Sequence, residues 1–349
     1  MKLYNAINKK ELKAKVDQAP VPRKTVSFYK YHQLRNPQIF RDHLYLLLVQ
    51  IGVLGRIYIA REGINAQISV PLENWNLFVS KLNEITFLEG NRLNFAIEDN
   101  PKSFVVLKIK LRSKIVADGL DDETFNPSNT GIHLNAKAFN ELSAKPDTVL
   151  VDMRNHYESE VGHFDGAILP DVDTFRDSLP IVEEILNPHR EKNIIMYCTG
   201  GIRCEKASAW FKHKGFENVF QLEGGIIKYA NDAHEQGLEN KFHGKNFVFD
   251  ERLGERISTE IISHCHQCGD PADSHTNCRN EGCHLLFIQC KSCEEKYEGC
   301  CSEDCRQIVN LPMEEQKRMR SGLEPARNVF RKGRIEGKIK PLENQEVRE

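Results

Sequence analysis

The hexapeptide Cys198–Arg203 places a thiol, two glycines and a guanidinium within six residues, which is the strongest indication of chemistry in this sequence. The apolar run Asn193–Tyr197 predicts a buried strand, and Glu205–Lys214 predicts a helix. Cys198 would then end a parallel strand, where α/β folds place reactive groups. Turn amides and the helix N-terminus would hold its pKa below the usual thiol value of about 8.5. We therefore predict Cys198 as the nucleophile, with an inert buried cysteine as the alternative.

The other residues of the hexapeptide suit a small anionic adduct on sulfur. Gly200 and Gly201 allow the backbone to curl around Cys198 without Cβ clashes, and Arg203 supplies a fixed cation. The predicted catalytic residues are Cys198 and Arg203, and the predicted active-site loop is Thr199, Gly200, Gly201 and Ile202. Cys204 follows directly, either as a supporting thiol or as the partner that resolves an oxidised Cys198.

A second concentration of thiols lies near the C-terminus, where nine of the eleven cysteines fall between Cys265 and Cys305. Two close pairs of cysteines grip one tetrahedral zinc ion, so up to two structural zinc ions are predicted. The predicted ligands are Cys265, Cys268, Cys278, Cys283, Cys290, Cys293, Cys301 and Cys305. Histidines that could replace a thiolate are His264, His266, His275 and His284. Cys300 is the ninth cysteine and is not needed for two sites of four ligands. Disulfides or free thiols are the alternative to metal, although a reducing cytosol disfavours disulfides.

These two regions require separate domains, because 349 residues exceed one comfortable core. We predict a multidomain α+β and α/β protein. Its parts are a ferredoxin-like domain over 1–117, a linker over 118–130, a parallel-sheet α/β domain over 131–250, a small cysteine-rich region over 251–310 and a basic, partly disordered tail over 311–349.

The ferredoxin-like prediction depends on six elements in the order strand, helix, strand, strand, helix, strand. They are expected at 25–31, 38–52, 56–60, 65–70, 72–85 and 104–111. Further strands are predicted at Val149–Met153, Asn193–Tyr197 and Val219–Leu222. The turn at Arg61–Gly63 is interpreted as a plain hairpin rather than a ligand contact.

The formal net charge of -2 excludes a globally basic nucleic-acid binder, but the tail is different. Between Lys317 and Lys340 there are nine Lys or Arg and two Glu. Arg331, Lys332 and Arg334 are candidate contacts to an RNA backbone, and a solvated tail is the alternative. The N-terminus lacks a signal-peptide pattern and no apolar run is long enough to span a bilayer, so we expect a cytoplasmic protein without a membrane or an obligate protein partner.

Four stretches resemble, in order, the characteristic stretches of rhodanese domains. They are Val151–Asn155, Gly162–Ala167, Cys198–Arg203 and Glu223–Ile226. The resemblance implies a rhodanese-like domain over about 131–233, with Asp152 and Arg154 supporting the loop. Cysteine phosphatases have five residues between Cys and Arg, whereas four separate Cys198 from Arg203, so we expect a pocket too small for a phosphoryl group.

The chain as a whole resembles the bacterial tRNA uridine hydroxylase family, from about residue 13 to residue 305. Further stretches that carry this resemblance are Ser27–Tyr31, Ala60–Ala66 and Lys245–Arg252. It implies oxygen-dependent 5-hydroxylation of the wobble uridine, position 34, with tRNA as partner and molecular oxygen as co-substrate. Either addition of the Cys198 thiolate to C6 of the uracil or a sulfenic or persulfide species on Cys198 would serve this reaction.

Two other functions are compatible with the same residues. A sulfurtransferase would carry a persulfide on Cys198, and a non-enzymatic adaptor would bind tRNA through the tail and the cysteine-rich region. His163 and Asp165 match two ligands of a non-haem iron triad, but they lie inside the Gly162–Ala167 stretch and are interpreted as structural. The sequence has no Gly-x-Gly-x-x-Gly fingerprint, and we see no flavin, NAD or haem site.

Overall fold

The computed structural model describes residues 9–18, 20–122 and 124–321, which form two main sheets and two smaller ones. The candidate RNA contacts Arg331, Lys332 and Arg334 lie outside the described residues. None of the helices within the described ranges is long and apolar enough to cross a membrane.

The first sheet belongs to a ferredoxin-like α+β unit. Its strands are β1 (Arg23–Tyr31), β2 (Leu54–Ala60), β3 (Gly63–Pro71), β4 (Asn94–Phe95) and β5 (Leu107–Leu111), in the spatial order β4-β1-β3-β2-β5. The helices of this part are α1 (Lys9–Gln18), α2 (Pro37–Ile51) and α3 (Trp75–Asn83), with 3-10 turns at Leu72–Asn74 and Thr86–Leu88. The predicted order of elements is therefore confirmed for this fold class.

Alternation along the strands gives this sheet two different faces. Val26, Ile57 and Ile68 are buried on one face with the apolar side of α2. The α2 helix begins where the Asn36 side chain accepts a hydrogen bond from the Ile39 amide, and it ends at Gly52 in the left-handed region. The other face carries polar side chains, among them Ser27, Tyr29 and Asn94, and it contacts the rest of the protein.

The second main sheet is parallel and has the order β6-β10-β9-β7. Its strands are β6 (Ile132–Leu134), β7 (Thr148–Asp152), β9 (Asn193–Tyr197) and β10 (Val219–Leu222). The helices around it are α4 (Ala136–Ser143), α5 (His156–Ser159), α6 (Phe175–Leu186), α7 (Ile202–His213) and α8 (Gly225–Gln236), with a 3-10 turn at Asn187–His189. This is the predicted rhodanese-like α/β layer, in which helices cover a parallel sheet.

The cysteine-rich region packs beside this layer through a small antiparallel sheet. That sheet has the order β12-β11-β8 and consists of β8 (Gly162–Phe164), β11 (Phe242–Asn246) and β12 (Glu255–Arg256). The following elements are β13 (His275–Asn277), β14 (Leu286–Ile288), α9 (Lys291–Tyr297), α10 (Glu303–Val309) and α11 (Met313–Arg320). Tyr157 and Phe247 join this region to the α/β layer in one buried cluster.

Two element predictions differ from the structure. The strand Leu107–Leu111 is an added edge strand, parallel to β2, and the fourth strand of the ferredoxin-like order is Asn94–Phe95. The helix expected to begin at Glu205 begins at Ile202. The segment 118–130 stays a predicted linker, and its first residue, Asp118, is buried against Lys206. The division of the chain at residues 117, 130, 250 and 310 stays a prediction.

Candidate active site

Cys198 follows β9 directly and precedes α7, as expected for the carboxyl end of a parallel strand. The loop is fixed from behind by the start of α8, where the amide of Ile226 donates to the Cys198 carbonyl over 3.0 Å. Gly225 makes this approach possible, because a Cβ there would lie 2.4 Å from the same carbonyl oxygen. Gly225 of the Glu223–Ile226 stretch is thus part of the loop's support.

The sulfur of Cys198 is fully buried and surrounded by hydrogen-bond donors. The amide of Gly201 donates to Sγ over 3.2 Å. Burial is the largest single influence and opposes ionisation, but the Cys204 thiol, the Arg203 charge and the amides of both residues outweigh it, so that the pKa of Cys198 is lowered to about 6. Burial also raises the pKa of Cys204 well above its usual value, which keeps that thiol a donor. A thiolate is therefore the expected form of Cys198 at neutral pH.

Arg203 is held beside the sulfur by a carboxylate that sequence reasoning missed. Its guanidinium donates to both oxygens of Glu158 over 2.7 and 2.8 Å, and Glu158 is fully buried. Burial raises the pKa of Glu158, but the charge of Arg203 and its hydrogen bonds outweigh this and leave the pKa lowered. The pair is bidentate, which fixes the plane of the guanidinium relative to the loop.

The ferredoxin-like unit forms the opposite wall of the site, with its polar sheet face turned toward the loop. Asn94 donates to the Gly200 carbonyl over 3.2 Å, and Tyr29 donates to Glu205 over 2.8 Å. Gly201 has a φ of 98°, and a Cβ at that residue would lie 2.8 Å from the Tyr29 hydroxyl oxygen. The second loop glycine is therefore required both by its backbone conformation and by the facing domain.

An ion pair network beside α7 joins the same two units. The ammonium of Lys206 contacts Glu62 at 2.7 Å and Asp118 at 2.5 Å, and both Lys206 and Asp118 are almost completely buried. The turn at Arg61–Gly63 is the predicted hairpin, because β2 and β3 pair antiparallel up to Ala60 and Gly63. Gly63 has a φ of 139°, and a Cβ there would lie 2.0 Å from the Lys30 carbonyl oxygen. Glu62 of that turn also forms part of the contact between the two units, a role that the hairpin interpretation did not include.

A cleft of about 820 Å³ opens between the two walls and reaches Cys198. Residues of three parts of the chain line it, among them Tyr58 of β2, Arg176 of α6 and Phe249 after β11. Ligand sites of small molecules have volumes of about 300 to 1,000 Å³, so this cleft accommodates a nucleoside-sized group. The loop itself surrounds one sulfur atom, whereas the space in front of it is much larger.

Two other predicted residues, Asp152 and Arg154, contact each other and the residues around the end of the strand that precedes Cys198. Arg154 and Asp152 form a fully buried bidentate ion pair, and Arg154 also donates to the Gly162 carbonyl over 2.6 Å. The Arg154 guanidinium lies 5.8 Å from the ring centroid of Tyr197, the residue before Cys198. His163 lies on β8, and its Nδ1 is 2.8 Å from the Ser159 carbonyl, to which it donates.

The eight cysteines predicted as metal ligands come together as two groups of four. The first group is Cys265, Cys268, Cys290 and Cys293, and the second group is Cys278, Cys283, Cys301 and Cys305. Within each group the sulfur atoms lie within 4.8 Å of one another, and all these cysteines are free thiols. The two groups interleave along the chain, a pairing that the spacing alone left open.

The geometry of both groups fits a tetrahedral metal. Zinc–sulfur bonds of about 2.3 Å place two sulfur atoms roughly 3.8 Å apart. The Cys268–Cys290 sulfurs are 3.6 Å apart, and Cys301 Sγ lies 3.7 Å from both Cys283 Sγ and Cys305 Sγ. A disulfide requires about 2.05 Å, so these thiols are arranged as ligands rather than as bridges.

Several contributors to the site were not predicted, because each is distant in sequence from the loop. They are Tyr29, Glu62, Asn94 and Glu158. Tyr29 and Glu62 lie in the stretches Ser27–Tyr31 and Ala60–Ala66, which carry part of the family resemblance. That resemblance gave neither residue a role at the site.

Comparison with known proteins finds three family models along the chain. A model described as UPF0176 acylphosphatase like domain matches residues 23–115, one described as Rhodanese-like domain matches 135–232, and one described as Rhodanase C-terminal matches 243–306.

Three relatives, each named tRNA uridine(34) hydroxylase, match nearly the whole chain. The relative from Photorhabdus laumondii is 57% identical over 333 residues, which are 95% of each chain. The one from Pectobacterium carotovorum is 59% identical over 95% of this chain and 94% of its own. The one from Yersinia enterocolitica is 56% identical over 95% of both chains.

Proposed function

Because this chain belongs to the tRNA uridine(34) hydroxylase family, we propose that it hydroxylates uridine 34 of tRNA with the Cys198 thiolate as the reactive group. One observation carries the role of Cys198. The thiol has a pKa of about 6 and lies at the inner end of a cleft with space for a nucleoside. An ionised sulfur within reach of a uracil ring is a competent nucleophile.

The proposed covalent sequence begins at C6 of the uracil. The thiolate forms an S–C6 bond, and the electron pair of the C5=C6 bond becomes an enolate at C5. Molecular oxygen takes that pair and, with a proton, gives a hydroperoxide at C5. Two thiols of an external reductant convert the hydroperoxide to the alcohol and water and become a disulfide. Loss of the C5 proton with departure of sulfur then restores the double bond and the thiolate.

In this series of reaction steps the protein's residues bind and orient the uridine and stabilise the charge on the Cys198 sulfur. Arg203, held by Glu158, keeps a positive charge beside the sulfur as it leaves. The Cys204 thiol and the Gly201 amide donate to the same sulfur and lower its basicity. The two groups of four cysteines would each hold a zinc ion with a structural role, since four protein ligands leave no open coordination position.

The function is tested by mass spectrometry of tRNA nucleosides from a deletion strain. Loss of 5-hydroxyuridine derivatives at position 34, restored by this gene, is the expected result. Unchanged modification in the deletion strain would contradict the proposal. Persulfide formation from thiosulfate, without any effect on tRNA, would instead favour a sulfurtransferase.

The covalent step has its own test that needs no turnover. Without oxygen, reversible addition of Cys198 to C6 should exchange the C5 hydrogen of uridine 34 for deuterium in heavy water. We expect exchange with the wild-type protein and none with Cys198→Ala. Hydroxylation by a protein that shows no exchange would exclude the addition route.

A further inference from the structure

The polar face of the first sheet continues beyond the cleft in two rows that cross four strands. One row is Ser27, Gln67, Arg56 and Lys108, and the next is Tyr29, Asn65, Tyr58 and Lys110. Each row begins at β1, beside the Cys198 loop, and ends at β5. Since neighbouring strands lie about 4.8 Å apart, a row is roughly 14 Å long.

The far end of these rows is positively charged and exposed. Arg56, Lys108, Lys110 and Arg112 are all exposed, and none of them contacts a carboxylate among the residues that the structure describes. We call these four residues the cationic edge. By contrast, Lys81 contacts Glu84 at 2.8 Å, and Lys102 contacts Asp17 at 2.6 Å. Uncompensated like charges on adjacent strands repel each other, so an anionic partner would be strongly favoured here.

An aromatic ring lies between the cationic edge and the catalytic loop. Tyr58 is half-buried and lines the cleft, and the Arg112 guanidinium lies 5.5 Å from its ring centroid. Single-stranded RNA is bound by basic surfaces that follow the backbone and by aromatic rings on which bases stack. The polar face presents basic side chains and an aromatic ring in a line that leads to Cys198.

We propose that this sheet face binds the anticodon loop of the tRNA. The cationic edge contacts phosphates beside the target nucleotide, and Tyr58 stacks on a base next to the uridine that enters the cleft. This inference rests on the proposed function, because it takes tRNA as the substrate and adds the surface that orients it.

A structural explanation accounts for only part of the pattern. Lysines on an exposed edge strand prevent the strand from pairing with another chain, which would suffice for Lys108 and Lys110 on β5. It does not explain Arg56, which lies on β2 between β3 and β5 and lines the cleft. Phosphate binding accounts for all four cations together.

The test compares two double variants of the full-length protein that remove equal charge. Lys108→Gln with Lys110→Gln alters the cationic edge. Lys137→Gln with Lys145→Gln alters two exposed lysines at α4, which likewise contact no carboxylate among the described residues. Binding of an unmodified tRNA is measured over a range of salt concentrations, and hydroxylation of position 34 is measured alongside.

The edge variant should bind tRNA roughly tenfold more weakly at low salt, and its log–log salt slope should fall by about 1 for each phosphate that the protein no longer neutralises. The α4 variant should match the wild type. Equal binding by the two variants would overturn the proposal, provided that the wild type hydroxylates tRNA. A wild type that binds tRNA without hydroxylating it would defeat the proposed function and leave the surface standing.

The role of Tyr58 is tested separately from charge. Tyr58→Phe keeps the ring and should retain hydroxylation, whereas Tyr58→Ala should lower it roughly tenfold or more without changing the salt slope. An unchanged rate in Tyr58→Ala, with the fold intact by circular dichroism, would remove the stacking contact from the proposal.

Discussion

Two regions of this protein place cysteine sulfur atoms in different environments. At Cys198 hydrogen bonds and a guanidinium lower the pKa of a single sulfur to about 6, and that sulfur faces a cleft. In the cysteine-rich region eight thiols form two closed groups, mostly buried. In the proposed roles, the first arrangement leaves a reactive electron pair available, whereas the second would provide four donors for one ion and leave no open position. The number and kind of neighbours, rather than the thiol itself, determine reactivity.

The largest effect is expected from removing the single reactive sulfur. Cys198→Ser should lower hydroxylation by at least about 1,000-fold, because an alcohol in the same loop is far less ionised and less nucleophilic. Its thermal unfolding should remain close to that of the wild type. The matched control is Cys300→Ser, a buried cysteine that belongs to neither group of four. Comparable loss of activity in both variants would break the distinction between the two regions.

Removal of one ligand should have a structural effect in the other region. Cys283→Ser should reduce the zinc content from about two ions to one per chain and make residues near 278–305 sensitive to proteases, because zinc binding supplies folding free energy there. Elemental analysis and limited proteolysis measure both outcomes. Alkylation of Cys198 by iodoacetamide should continue normally. Less than one zinc ion per wild-type chain would contradict the metal assignment.

The pH dependence of the alkylation rate of Cys198 tests the comparison between the two regions further. Only the thiolate is alkylated, so the rate should rise with pH through about 6 and level off above it. Cys204→Ala removes the thiol that donates to Cys198, and we expect the inflection to move upward by about one pH unit. Cys204→Ser keeps a donor and should retain an inflection near that of the wild type. Identical profiles for the two variants would show that Cys204 only fills space.

The smallest effect is expected from the C-terminal tail. Neutralising Arg331, Lys332 and Arg334 should weaken binding of all tRNAs slightly and flatten the salt dependence, as removal of phosphate contacts requires. The effect should be smaller than that of the cationic edge, which lies beside the cleft. Wild-type affinity and salt slope in this variant would mean that RNA recognition lies outside these three residues.

Local patterns made much of the chemistry predictable from sequence. The loop residues and the cysteine pairs are close in the chain, so their types and spacing carry the information. Contacts between distant residues were not predictable: Tyr29 and Glu205 are 176 positions apart, and Arg203 and Glu158 are 45 apart. No spacing rule relates such positions before the chain is folded.

Two errors in the predicted elements have specific physical causes. The α7 helix begins before the predicted residue. The start was not predicted because the N-cap is Gly201, which has no side chain to give the usual capping signal. The strand Asn94–Phe95 has two residues, too few for an alternating pattern. Both features lie at the contact between the ferredoxin-like unit and the loop, where tertiary contacts override local preference.

The shared wall between the two units also has a consequence for synthesis on the ribosome. The first sheet ends at Leu111 and the loop ends at Arg203, so at about 5 to 20 residues per second the loop emerges roughly 5 to 20 s after the sheet is complete. During this interval Tyr29 and Asn94 lack their contacts with Glu205 and Gly200, which are still to be translated or released. Polar and charged side chains keep the uncovered sheet face soluble on the nascent chain while the second unit is still being translated.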